Sequence, residues 1–216
     1  MAIGNPGIWV IKFRSLDEQF LERVHAVWPQ CLSQLSKQSQ ENTITHSLVI
    51  LLRKDVKARR LFCFLQNEYI IFGYKDSGNV CEKGRVDIAL ILDQGGENYL
   101  AYECKCLNVT HKNGRKESLA GKYVSEGLVR YVNEKYSENL PVGCMLGYVM
   151  DGDTEAAKCK VWKAINNKKQ SIELKEGPTS EQPLGDILRF SSRHKRVFNQ
   201  QEIEVRHALL PFCSQG

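Results

Sequence analysis

The chain lacks the long hydrophobic runs that would direct it into a membrane or out of the cell. No stretch of about 18 apolar residues occurs in it, so no transmembrane helix is expected. The N-terminal segment MAIGNPGIWVIKFRSLDEQ has no basic region followed by a long apolar stretch, which argues against a secretory signal. These absences predict a cytoplasmic protein without a membrane partner.

The chain also lacks the usual zinc-binding and disulfide patterns. None of its eight cysteines forms a CxxC pair, and the closest two are Cys104 and Cys106. Disulfide frameworks are expected in short secreted chains, and the histidines form neither an HxH nor an HExxH pattern. We therefore predict reduced and mostly buried cysteines. A zinc- or thiol-dependent protein built on Cys104 and Cys106 is an alternative that no ligand spacing supports.

Internal repeats and low-complexity linkers are absent as well, and the composition that remains is that of an ordinary globular domain. Hydrophobic residues make up 42% of the 216 residues and charged residues 25%. The formal net charge of +5 is compatible with a polyanionic partner but does not require one. Basic residues cluster at 53–60, 111–116, 167–169 and 193–196, and each cluster alone is also typical of a solvated surface.

The hydrophobic periodicity predicts an α/β layered domain. Pro29 is expected to break the first helix. The hairpin is expected around the Gly-Gly loop of 93–98. In chain order, the predicted elements are helices at 15–36 and 41–57, extended runs at 60–66 and 68–74, a hairpin formed by 85–92 and 99–106, a helix at about 119–137, a strand at 143–150, a helix at 153–169, and weaker strands at 172–176, 187–192 and 201–212.

The predicted hairpin carries the residues with the clearest chemistry. Side chains alternate between the two faces of a strand, so Glu103 and Lys105 point the same way, about 6–7 Å apart. If the faces match across the hairpin, Asp87 joins them, and two carboxylates and an amine share one cleft. Such hard oxygen ligands suit Mg²⁺ or Mn²⁺. The alternative is a salt bridge between Asp87 and Lys105 or Arg85 on a solvated face of the sheet.

Asp87, fifteen intervening residues and then Glu103-Cys104-Lys105 resemble the signature of the PD-(D/E)XK nuclease superfamily, although Val86 stands where the motif name has proline. The resemblance covers roughly 41–150. It implies a restriction endonuclease-like core, in which a mixed central β-sheet is flanked by α-helices. The single domain would then have a helical N-terminal extension, 1–40, and a C-terminal α/β extension, 151–216.

The resemblance also implies roles for individual residues. Asp87, Glu103 and Lys105 would be catalytic, and Asp87, Glu103, the backbone carbonyl of Cys104 and an acidic residue of the first core helix would hold the metal. Glu41 is the candidate for that acid, and its alternative role is to stabilise the start of its helix. The side chain of Cys104 would point to the opposite face, toward the core.

Six basic residues are candidates for contacts with a nucleic acid: Arg85, Lys122, Arg130, Arg193, His194 and Lys195. The alternative for Lys122, Glu126 and Arg130, which are spaced by four residues, is a solvated ion-pair ladder along one helix face.

The expectation is therefore a Mg²⁺- or Mn²⁺-dependent endonuclease acting on DNA, in restriction or phage defence, as a homodimer or with partner subunits. The alternative is a catalytically silent module on the same fold that binds nucleic acid or another protein.

Overall fold

The computed structural model describes residues 6–74 and 77–212, with side chains from residue 9 onward, so Asp76 of the predicted turn and Cys213 lie outside the described residues. The helices are α1 (Pro6–Leu32), α2 (Glu41–Lys54), α3 (Ala120–Lys122), α4 (Val129–Val132) and α5 (Thr154–Asn167), with a 3₁₀ turn at Ala58–Arg60 and a π-helical turn, Tyr123–Leu128, between α3 and α4. The strands are β1 (Phe64–Tyr74), β2 (Val80–Ile91), β3 (Tyr99–Leu107), β4 (Val109–Thr110), β5 (Lys116–Glu117), β6 (Val142–Val149), β7 (Leu174–Ser180), β8 (Leu188–Lys195) and β9 (Glu202–Pro211).

Seven strands form one mixed sheet in the order β1-β2-β3-β6-β9-β8-β7. The central strands β3, β6 and β9 are parallel, and the two edges are antiparallel. The parallel strand β6 is buried along its whole length, as expected for a strand covered on both faces. The predicted α/β domain with a mixed sheet is confirmed.

Helices cover both faces of this sheet. On one face, α1 packs Phe20 against Tyr102 with ring centroids 4.8 Å apart, and α2 places Thr45 in a 3.0 Å hydrogen bond with Tyr148. On the other face, the helical segment 120–132 and α5 pack against β6, β8 and β9. The contact between Trp162 of α5 and the buried ring of Phe190 belongs to this second layer.

The predicted break of the first helix at Pro29 is wrong, because α1 continues through Pro29 to Leu32. A proline removes one helical hydrogen bond, but this loss falls near the end of the helix. Trp28 and Cys31 on either side of it are both buried. Their packing against the sheet holds the last turn in place.

Two further boundaries differ from the sequence prediction. Residues 60–66 and 68–74 are not separate runs: β1 starts at Phe64, after the 3₁₀ turn, and continues to Tyr74 although Glu68 has a φ of 53°. The helix predicted to reach Ser137 ends at Val132, and Glu134 and Ser137 adopt left-handed φ values of 55° and 52°. A residue in the left-handed conformation cannot continue a right-handed α-helix, so Glu134 prevents its extension.

Candidate active site

The strands β2 and β3 separate at the level of Asp87. They pair only from Ile88–Tyr102 to Ile91–Tyr99. Beyond the first of these pairs, β2 pairs with β1 alone and β3 pairs with β6 alone. The sheet therefore forks at this point, and we call the gap between the diverging parts of β2 and β3 the fork. Backbone groups of β3 that face this gap need partners other than a strand.

Two carboxylates accept hydrogen bonds from these backbone N–H groups. Asp87 Oδ2 accepts a hydrogen bond of 2.7 Å from the Cys104 N–H, and Glu41 Oε2 accepts one of 2.8 Å from the Cys106 N–H. Asp87 belongs to β2, whereas Glu41 is the first residue of α2. The carboxylates thus replace strand-to-strand hydrogen bonds where the strands part, and this holds both of them beside β3.

Lys105 lies at the centre of the fork. Its Nζ is 2.7 Å from Glu103 Oε1, 3.1 Å from Glu41 Oε1 and 2.8 Å from the carbonyl oxygen of Cys104. The side chain of Lys105 is only 14% exposed and that of Glu103 is fully buried. Three oxygen atoms, contributed by two strand residues and one helix residue, therefore converge on a single cation in a largely dry environment.

Glu103 has a second cationic partner. Arg130 Nη1 is 3.1 Å from Glu103 Oε1 and 3.2 Å from Oε2. The same nitrogen donates to the hydroxyl of Tyr136, which in turn donates to the carbonyl oxygen of Arg85 on β2. Tyr136 thereby ties the far part of β2 to the helical segment that carries Arg130.

One oxygen of Glu103 lies between two cations. Oε1 is buried, 2.7 Å from Lys105 Nζ and 3.1 Å from Arg130 Nη1. A metal ion at this oxygen would therefore share it with, or displace, the ammonium of Lys105.

Burial and like charge perturb the carboxyl groups. Burial raises the pKa of Asp87 to about 7, and repulsion from Glu103 adds to this, whereas Lys105 and the Cys104 N–H act in the opposite direction. Burial also raises the pKa of Glu103 against the opposing effects of Lys105 and Arg130. Strongly perturbed carboxyl groups in a cleft are typical of functional sites.

Lys105 stays charged. Burial opposes its charge, but the carboxylates of Glu103 and Glu41 outweigh burial and raise the pKa of Lys105 above its ordinary value. At neutral pH the group is therefore a positive charge and a hydrogen-bond donor rather than a base.

The donor set fits a hard divalent cation by its chemistry, because Asp87, Glu103, Glu41 and the Cys104 carbonyl supply only oxygen atoms at the fork. In the part of the chain that the structure describes, no three His, Cys, Asp or Glu side chains converge as a metal site. The ammonium of Lys105 lies between Glu41 and Glu103 and keeps these two carboxylates apart.

The structure brings the predicted catalytic and metal-site residues together. The carboxylate of Glu41 contacts Lys105 and the Cys106 N–H, and Glu41 also lies in the first turn of α2, where a negative charge suits the helix dipole. The side chain of Cys104 is fully buried on the opposite face, as predicted. The alternative pair of Asp87 and Arg85 does not form, because Arg85 is bound to Glu82 at 3.0 Å.

The candidates for nucleic-acid contacts divide into two groups. Arg130 lies in the site, and the exposed Lys122 lies near Glu117, whose pKa its charge helps to lower. The predicted ladder does not form among the described residues, since Arg130 pairs with Glu103 instead of Glu126. The π-helical turn changes the spacing along the helix face and turns Arg130 toward the sheet.

The C-terminal group lies away from the fork. Arg193 and Lys195 are on β8, three strands from β3, or about 14 Å across the sheet, and Arg193 is bound to Glu176 at 3.0 Å. His194 is fully buried, so its prediction as a phosphate contact is wrong. Strand alternation explains this, because His194 points into the core between two outward-facing basic residues.

His194 is part of a buried network that sequence reasoning missed. Ser192 Oγ lies 2.8 Å from His194 Nε2 and 3.1 Å from His207 Nε2, and His207 Nδ1 lies 3.0 Å from the Tyr123 hydroxyl. The network joins β8 and β9 to the π-helical turn. Neither it nor the role of Tyr136 has a local sequence signal, because their partners are far apart in the chain.

Comparison with known proteins finds nothing similar. No protein-family model matches the chain, no curated protein is similar to it, and no solved structure resembles it. The seven described cysteines are free. Of the helices that the structure describes, none is both long and apolar enough to span a membrane.

Proposed function

We propose that this chain is a metal-dependent nuclease of the PD-(D/E)XK type that hydrolyses phosphodiester bonds in DNA. The observation that carries the proposal is the fork, where Asp87, Glu103, Lys105, Glu41 and the Cys104 carbonyl meet. The order of α2, β1 to β3, the helical segment 120–132 and β6 also follows the order expected of a restriction endonuclease-like core.

Each residue has a distinct task in this proposal. Asp87, Glu103 and the Cys104 carbonyl would hold Mg²⁺ or Mn²⁺, with Glu41 as a further oxygen donor. The bound ion supplies Lewis-acid chemistry at the phosphate and lowers the pKa of water. Lys105 is charged, so it offsets negative charge on the phosphate or donates a proton to the leaving oxygen. Arg130 balances the charge of Glu103.

The test is cleavage of plasmid and single-stranded DNA with Mg²⁺ or Mn²⁺. We expect cutting by the wild type and a loss of at least a hundredfold in Glu103→Gln and Lys105→Ala. Glu155→Gln and Lys158→Ala are matched controls, because this pair on α5 is 2.6 Å apart and lies outside the fork. Cutting that persists in both fork variants, with folding verified, would exclude this active site.

A silent binding module is the second candidate, and one observation favours it. Lys105 and Arg130 already neutralise Glu103, so the charged cluster is self-contained without a metal. Calorimetric titration with Mn²⁺ separates the two functions: a nuclease binds the ion and loses binding in Asp87→Asn. A silent module binds none and cuts no DNA with any divalent ion. Roles in restriction or phage defence, as a homodimer or with partner subunits, belong to the nuclease proposal.

A further inference from the structure

Two hairpins project on either side of the fork. Residues 80–86 of β2 continue away from Asp87 as one strand of the β1–β2 hairpin. β3 leads instead into a short ribbon in which β4 and β5 pair, with Val109 opposite Glu117. Since β2 and β3 are antiparallel, these two projections extend from the same end of the sheet.

The end of the β1–β2 hairpin exposes an apolar face. Phe72 is 65% exposed, Tyr74 is 80% exposed and Val80 is 62% exposed. Tyr74 lies directly opposite Val80, and Phe72 lies two residues away on the same strand, so the three side chains share one face. The two aromatic residues are about 7 Å apart along the strand. We call these three residues the hairpin patch.

The ribbon on the other side is basic. Lys112, Arg115 and Lys116 are all exposed, and Lys122 follows shortly after the ribbon. Arg115 is paired with Glu117 at 3.1 Å, whereas Lys112 and Lys116 form no ion pair with any residue that the structure describes. The fork therefore has an aromatic projection on one side and a cationic projection on the other.

We propose that these projections bind a single strand of DNA, with its bases on the hairpin patch and its phosphates on the ribbon. This inference rests on the proposed nuclease function and names its substrate class. Exposed aromatic rings beside basic residues bind single strands, because every unpaired base offers a face for stacking. In a duplex, neighbouring bases already cover these faces, so the hairpin patch favours unpaired or flapped DNA.

Continuity with the site and the local charges favour DNA over a protein partner. Phe72 and Tyr74 of β1 pair with Glu82 and Val80 of β2, and β2 continues from there to Asp87, so a DNA strand held on the patch lies along the strand that leads to the fork. Glu82 lies opposite Phe72 on the same face, but its charge is offset by the 3.0 Å ion pair with Arg85. The side of the fork formed by the ribbon is positive, as a phosphate backbone requires.

The test measures binding of labelled single-stranded and duplex oligonucleotides by fluorescence anisotropy in EDTA. We expect the wild type to prefer the single strand and Phe72→Ala/Tyr74→Ala to bind it at least tenfold more weakly. Phe64→Ala is the matched control: Phe64 is an exposed aromatic residue of the same strand, 59% exposed, at its opposite end. That variant should bind within twofold of the wild type.

A second arm tests the ribbon. Removing two phosphate contacts to a single strand lowers the slope of log affinity against log salt concentration by about 1.4. Lys112→Ala/Lys116→Ala should show this reduction, and Lys168→Ala/Lys169→Ala, a basic pair directly after α5, should show none.

Several outcomes would overturn the inference. Equal affinity for duplex and single strand would do so, as would unchanged binding by Phe72→Ala/Tyr74→Ala. Loss of dimer by this variant in light scattering, with binding intact, would assign the patch to self-association. Because binding is measured without metal, absence of cleavage does not affect the result. Cleavage that depends on Glu103 with no role for the patch would leave the nuclease proposal standing alone.

Discussion

At the scale of single residues, the fork brings like-charged carboxyl groups close together in a buried environment. Asp87 and Glu103 are like charges in a buried setting, and both carboxyl groups have raised pKa values. Lys105 offsets part of this conflict, but Asp87 receives only one hydrogen bond among the described contacts. A natural chain keeps such an arrangement when function requires it, because an uncharged residue would be more stable there.

The first prediction concerns Asp87. Its native pKa of about 7 lies above the ordinary aspartate value of 3.8, so the stability from its protonated form is complete below pH 4 and is lost as the pH rises to 7. Asp87→Asn keeps an acceptor for the Cys104 N–H and removes the charge. We expect it to stabilise the metal-free protein by about 1–3 kcal/mol at pH 8.

Urea unfolding at pH 8 and pH 4 without metal measures this effect, and the gain should shrink at pH 4. If Asp87→Asn instead destabilises the protein equally at both pH values, the charged carboxylate of Asp87 does not destabilise the folded state. The same variant should lose the stabilisation that Mn²⁺ gives to the wild type. That result would connect the destabilising charge of Asp87 with metal binding.

At the scale of elements, the contact between the helical segment 120–132 and β6 decides where the site residues lie. A Cβ on Gly143 of β6 would lie 2.4 Å from the ring of Tyr131. That ring cannot move easily, because its hydroxyl lies 2.6 Å from the carbonyl oxygen of Cys144 and 3.0 Å from that of Ala101 and shares its single hydrogen between them. A Cβ on Gly127 would meet Met145 and approach Glu103. Glycine therefore sets the close approach of helix and sheet beside the fork.

The second prediction compares Gly143, which lies in this contact, with Gly121, which lies outside it. Gly143→Ala should destabilise the protein by about 1–3 kcal/mol, because the ring of Tyr131 must shift. Gly121→Ala should instead stabilise it by about 0.5–1 kcal/mol, since a Cβ there meets no atom within 4 Å and alanine favours helix. Denaturant unfolding of both variants provides the measurement. Similar effects at both positions would contradict the close packing.

Sequence reasoning recovered only part of this element. The stripe of Tyr123, Val124, Leu128, Tyr131 and Val132 is buried, as its periodicity predicts. Of the two glycines in this segment, Gly127 lies in close contact with the sheet, whereas Gly121 lies in open space. The π-helical turn and the early helix end were not predictable, because they depend on how Arg130 meets Glu103 and on the left-handed residues that follow.

At the scale of the whole molecule, the N- and C-terminal regions complete the sheet. β9 pairs with β6 along its whole length and lies near the middle of the sheet. Asp17 of α1 accepts hydrogen bonds from Tyr102 at 2.7 Å and from Arg206 at 2.6 Å, all three being buried. This buried link ties the first helix to β3 and β9.

The third prediction follows from this link. A fragment of residues 41–150 should not fold, because it leaves β6 without its partner β9 and exposes the face that α1 covers. Circular dichroism and hydrogen exchange would show no cooperative unfolding, whereas a fragment of residues 6–212 should unfold cooperatively. A cooperatively folded 41–150 fragment would establish that the outer regions are independent of the core.

The fourth prediction concerns pH. Burial lowers the pKa of His194 to about 4 and lowers that of His207 well below its usual range. Both side chains are neutral in the folded protein, so the stability that they contribute is complete above pH 6.5 and falls as the pH drops toward 4. Asp87 has the opposite effect, because its protonation below pH 7 stabilises the folded protein.

We therefore expect the wild type to lose several degrees in melting temperature between pH 7 and 4.5. The loss should be larger in Asp87→Asn, because its opposing contribution is removed. Differential scanning calorimetry of both proteins across this range measures the effect. A smaller loss in Asp87→Asn than in the wild type would contradict the pKa shift of Asp87.

The sequence by itself determined the local features of this protein. Strand alternation and the hairpin turn are short-range properties, so the common face of Glu103 and Lys105 followed from residue order alone. Asp87 joined them only on the condition that the faces match across the hairpin. Residue order alone likewise predicted α2 and β6.

Only the tertiary structure decided which distant elements meet at the fork. Glu41 reaches Lys105 from another layer, and Arg130 reaches Glu103 through a π-helical turn. His194 became a core residue because β8 and β9 join the central sheet. Each outcome depends on which strands become neighbours, and burial across the whole chain sets that choice, because no local pattern encodes it.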